Sequence, residues 1–122
     1  MYTIEYNRAK NRIYVSVEGA LQLEEMPEYN KKFNAAVDSA KQGFTVCVDN
    51  TKASINSAEV SEKLDISKAY AASHGMRNAA MVLNSTVFKM QMKRLFKELG
   101  NVFESVEAAD VFLDTAPDFK DQ

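Results

Sequence analysis

Apolar residues in the first eighteen positions recur at every second position, and from Met26 onward they recur at every third or fourth. Such a change of period restricts the chain to folds in which a strand pair is followed by helices that pack on a sheet. Tyr2, Ile4 and Tyr6 alternate with Thr3, Glu5 and Asn7. After a polar turn at residues 8–11, Ile13, Val15 and Val17 alternate with Tyr14, Ser16 and Glu18, up to Gly19. This is a β-hairpin pattern.

A helix is expected over about 25–41, because Met26, Tyr29, Phe33, Val37 and Ala40 share one stripe. Pro27 is compatible only with a first turn, and Gly43 suits the exit. Residues 44–48, Phe-Thr-Val-Cys-Val, form an apolar run typical of a central strand. A loop over 49–56 leads to a second helix over about 57–74, with Asn56 and Glu59 spaced as a capping box and Gly75 beyond its end. Residues 79–83 read as another buried strand. Ser85 or Thr86 can cap a third helix to Leu99, with Phe88, Met92, Leu95, Phe96 and Leu99 inward. Val102 and Phe103 make a short strand, and Ser105 caps a last helix to about residue 114. The expected architecture is α/β, with the order ββαβαβαβα and a mixed sheet: an antiparallel hairpin plus parallel strands joined by right-handed crossovers. One domain spans residues 1–114, and the tail from Thr115 through Pro117 to 122 is expected to fray.

The composition suits one globular core: 122 residues, 46% hydrophobic and 26% charged. A formal net charge of −2 gives no basic excess for a nucleic-acid partner. No apolar run approaches the roughly 20 residues that span a bilayer. The first residues read as a strand and not as a secretion signal, and a single cysteine precludes an intrachain disulfide framework. The expectation is a cytoplasmic protein without membrane contact.

Catalytic chemistry finds little support. His74 is the only histidine and sits at a helix C-terminus, where a cation favours the dipole. Cys47 lies inside an apolar strand and reads as a buried structural thiol. There is no glycine-rich nucleotide loop, and the 17 acidic residues mostly mark solvated helix faces. No catalytic residue, cofactor or metal ligand is assigned. The alternative of an enzyme requires carboxylates that converge only in three dimensions.

Position is more informative. Ligands of such sheets gather beyond the carboxyl ends of the parallel strands, here residues 49–57 and 84–86. Both stretches enter helix N-termini, which favour anions, although ordinary capping by Asn56, Ser57, Ser85 and Thr86 explains the same residues. On the second helix, Val60, Leu64 and Ala71 form the core stripe, and Ile66 and Tyr70 fall well away from it. An aliphatic and an aromatic residue one turn apart on a polar face suggest a contact surface. Met90 stands apart from the core stripe of the third helix, and Lys89, Lys93, Arg94 and Lys97 give that helix a solvated basic face.

The sequence Val46-Cys47-Val48-Asp49, followed by Ile55-Asn56-Ser57-Ala58, resembles the STAS domain of anti-sigma-factor antagonists, the SpoIIAA-like family. The family has a strand ending in Asp, an apolar residue, Asp-Ser-Ser-Gly and a helix. Ala80-Met81-Val82-Leu83-Asn84 and the helix ending at Gly100 are similar to its next unit, and the element order matches over nearly the whole chain. Here Asn56 replaces the motif aspartate, Ala58 one of two serines, and Glu59 the glycine. The resemblance implies a divergent, non-enzymatic regulatory module that binds a protein partner, such as an anti-sigma-factor-like kinase, or a second copy of itself. In the family a serine of this motif is phosphorylated; the usual acceptor is the serine that Ala58 replaces here, which leaves Ser57 as the candidate acceptor of a retained switch. The candidate partner-binding residues are Asp49, Asn56, Ser57, Ile66 and Tyr70. The alternative is a small-ligand or lipid-binding module with a pocket at the strand ends.

Overall fold

The computed structural model describes residues 1–83 and 101–119. Strands β1 (Tyr2–Asn7) and β2 (Arg12–Gly19) pair antiparallel in the register Ile4 to Val15. Asn11 turns the hairpin at φ 52°, a left-handed conformation that asparagine tolerates. A 3₁₀ turn (Leu23–Glu25) leads into α1 (Met26–Ser39), then β3 (Thr45–Ala53), α2 (Ala58–Ser73) and β4 (Asn78–Val82). Beyond the undescribed stretch lie β5 (Val102–Phe103) and α3 (Val106–Thr115). The expected third helix, with its basic face and Met90, lies outside the described residues, as does the strand end at residues 84–86. Among the described residues the fold is a five-stranded mixed sheet with three α-helices.

The strands stand in sequence order, β1-β2-β3-β4-β5, with every pair after the hairpin parallel. Val46 faces Ala79 and Val48 faces Met81 across β3 and β4, so the two apolar runs are adjacent parallel strands. Alternation along each strand sends side chains to opposite faces. On one face Ile13, Val15, Val17, Phe44 and Val46 meet Met26, Tyr29, Phe33 and Val37 of α1 and Val60 and Ala71 of α2. On the other face Cys47, Ala80 and Val82 meet Ala109 and Leu113 of α3. Four residues of the stripe expected for the first helix, Met26, Tyr29, Phe33 and Val37, are the buried stripe of α1; Ala40 is the half-buried C-cap beyond the helix end. The stripe expected for α2 differs by one residue: Ser67 is buried between Val60 and Ala71, and its hydroxyl bonds Asn30 of α1.

The C-terminal segment departs from expectation. Residues 115–119 do not fray. Ala116 is buried, the Asn78 side-chain amide donates to the Pro117 carbonyl at 3.0 Å, and the Phe119 N–H donates to the Arg77 carbonyl at 2.8 Å. The Phe119 ring packs on the first core.

Candidate partner-binding site

The carboxyl end of β3 and the start of α2 form the centre of the site. The strand is longer than its apolar run. It continues through the polar residues Asp49 to Ala53, because β2 continues to pair with it, Glu18 with Lys52 and Gly19 with Ala53. Asp49 therefore lies inside a strand and not in a loop. Its carboxylate accepts from the backbone N–H and the hydroxyl of Thr51, at 3.0 and 2.7 Å.

The connection to α2 is consequently short. Ser57 is the N-cap in an extended conformation, and its Oγ accepts from the Val60 N–H at 3.2 Å. This corrects the expectation that Asn56 caps the helix in a box with Glu59. The Asn56 Oδ1 instead accepts from the Leu21 N–H at 2.8 Å. That bond ties the β3–α2 connection to the β2–α1 connection. A capping box does occur, but in the 3₁₀ turn, between Gln22 and Glu25. Asn56 is half-buried and Ser57 is exposed.

Ile66 and Tyr70 occupy different environments. Ile66 is 58% exposed. Tyr70 is half-buried and packs against the core, and its hydroxyl donates to the Asp38 carboxylate of α1 at 2.6 Å. Its ring stacks on His74 at 3.9 Å. The expectation that both side chains stand clear of the core is thus corrected for Tyr70. The helical phase is right, but the face it predicts is the seam with α1, which occupies the aromatic ring.

A shallow groove of about 590 Å³ opens where the first turns of the two helices run side by side. Leu23, Met26, Pro27 and Asn30 line it from the α1 side, and Glu59, Glu62 and Lys63 from α2. Leu23 is 43% exposed. Sequence reasoning missed this groove, although an apolar residue stranded between Gln22 and Glu24 was a legible signal.

A second polar cluster lies at the opposite end of the sheet and was also missed. Arg12 is fully buried. It donates to Thr45 Oγ1 at 2.8 Å, Asp110 Oδ1 at 2.7 Å and Asp114 Oδ1 at 3.0 Å. The Tyr14 hydroxyl donates to Asp110 at 2.7 Å. Burial pushes the Asp110 carboxyl upward, but the hydrogen bonds from Tyr14 and Arg12 outweigh it and hold the group below its ordinary range. A carboxylate kept ionised in this way is unsuited to act as a general acid. The cluster anchors α3 to the sheet. Cys47 is buried, and desolvation raises its thiol to about 11, against a nucleophilic role. Among the described residues no group of histidine, cysteine and acidic side chains is arranged to hold a metal, and no helix is long and apolar enough to cross a membrane.

The sequence matches no protein-family model and no curated protein. Solved structures are similar in fold. The anti-sigma factor antagonist SpoIIAA in its unphosphorylated form superposes with a TM-score of 0.68 at 12% identity, over 91% of this chain and 94% of that one. An anti-sigma factor antagonist from Mycobacterium paratuberculosis gives 0.64 at 13% identity, over 93% and 94%. An uncharacterised Shewanella loihica protein with a SpoIIAA-like fold gives 0.68 at 15% identity, over 92% and 93%. The chain has a SpoIIAA-like fold.

Proposed function

We propose that this SpoIIAA-like fold serves as a non-enzymatic regulatory module that binds a protein partner through the β3–α2 connection and the outer face of α2. The observation that carries the reading is the pairing, on one helix, of an exposed N-cap serine with an exposed isoleucine at residue 66. Asn56 fixes the connection from behind and leaves the Ser57 hydroxyl at the surface. The structural likeness to two anti-sigma factor antagonists supports a regulatory contact of this class. The partner is an anti-sigma-factor-like kinase or a second copy of the chain, and Asp49 acts indirectly by bracing Thr51.

Ser57 is the phosphorylation candidate. Phosphate there meets free N–H groups and the positive end of a 16-residue helix, so the fold accepts the added charge. Its effect falls on the contact. A Ser57→Asp variant retains an N-cap and should keep its stability while losing affinity for the partner. Ser57→Ala should lose about 1 kcal/mol of stability and keep its affinity. Chemical denaturation alongside calorimetric titration separates the two effects. Equal affinity of both variants for the partner would remove Ser57 from the contact.

A further inference from the structure

The groove between the first turns of α1 and α2 combines an apolar floor with unpaired charge. Leu23, Met26 and Pro27 supply the floor. Across it stand Glu59 and Glu62, both exposed. Among the described residues neither carboxylate forms an ion pair, although Lys63 lies beside them. Glu59 is in the first turn, where the helix dipole favours it. Glu62 has no such reason. Three residues apart on a helix, the two repel each other. Glu24 adds a third exposed carboxylate next to Leu23. Three carboxylates against the single lysine leave the rim of the groove net negative beside an exposed leucine, which suits an apolar group accompanied by a cation.

We propose that this groove docks a segment of the protein partner that carries one aliphatic or aromatic anchor next to a lysine or arginine. The anchor covers Leu23 and Pro27, and the cation sits between Glu59 and Glu62. The Asn56 bond to Leu21 and the Ser67 hydroxyl bond to Asn30 tie together the elements that carry the two sides of the groove. Ile66, one turn beyond Glu62, extends the same surface along α2. The inference rests on the protein-contact reading above, and it states the chemistry of the partner.

The test uses two synthetic helical peptides with the same leucine positions, one flanked by arginines and one by glutamates, titrated into the isotope-labelled full chain and followed by NMR. The arginine peptide should shift the amides of residues 23–30 and 59–63 saturably. The double variant Glu59→Gln, Glu62→Gln should weaken that binding about three- to tenfold, and Leu23→Asp should abolish it. Raising salt should weaken the wild-type interaction and leave little difference from the double variant. Equal shifts from both peptides, shifts confined to other surfaces, or indifference to Glu59 and Glu62 would overturn the proposal. Any of those results, together with loss of the natural partner on changing Ile66, would retire the groove and keep the α2 contact. Loss of neither interaction on changing either surface would retire both.

Discussion

Arg12 shows how much a single buried charge organises. Its guanidinium reaches one hydroxyl and two carboxylates, and those carboxylates lie 98 and 102 residues further along the chain. Removing one partner of a buried ion pair is costly because the other charge stays desolvated. Asp114 remains to share the load, so Asp110→Asn should cost about 2 kcal/mol at neutral pH. The cost depends on pH in a defined direction. The Asp110 carboxyl is held below its ordinary range by Tyr14 and Arg12 against the opposing effect of burial. The stability it contributes is therefore present above its unfolded value, near pH ~4, and is lost as pH falls through the lower folded value. Urea midpoints measured from about pH 7 down to about pH 2 should show the wild type and the variant converging in acid. A gap that stays constant would mean that Asp110 is not the ionised partner. None of this was legible in the sequence, where Arg12 is only a basic residue at the start of a strand pattern. Ion pairs across such separations leave no local trace.

At the scale of elements, legibility followed the strength of the local pattern. The α1 stripe of Met26, Tyr29, Phe33 and Val37 identifies both the helix and its buried face. α2 carries only Val60, Ser67 and Ala71 fully inside, a small-residue seam that lets α1 approach and draws Tyr70 into the interface. Its phase was readable, but the neighbour occupying the adjacent face was not. β3 outruns its apolar residues because pairing with β2 overrides the weak strand preference of Asp49, Asn50 and Lys52. The last segment repeats the lesson in reverse. Thr115 and Pro117 resemble a loose end, yet Ala116 and Phe119 are packed and two hydrogen bonds cross to Arg77 and Asn78. Truncation after Thr115 should therefore lower stability by about 2 kcal/mol, the scale of one lost aromatic contact with its neighbours, in thermal or urea unfolding. A truncated chain as stable as the full one would return the segment to the status of a frayed tail.

For the whole molecule, strands added in sequence order by right-handed crossovers put α1 and α2 on the same face of the sheet, and α3, which follows the last strand and joins no two strands, covers the other face. That topology places the first turns of α1 and α2 side by side at the carboxyl ends of β2 and β3, where the exposed Ser57 and the groove lie. The sequence pattern led to this region through Ser57 and Ile66, and it missed Leu23 because no periodicity marks a residue between elements. The proposed function depends on the outer face of α2 meeting another protein. The most direct measurement is quantitative affinity capture from the native host with the wild-type chain and with Ile66→Asp, joined to the melting curve of each. Ile66 is more than half exposed, so the variant should melt within a few degrees of the wild type. A specific partner, or a second copy of the chain, should be enriched by the wild type and lost with Ile66→Asp. A variant that stays folded and captures the same proteins in the same amounts would contradict it.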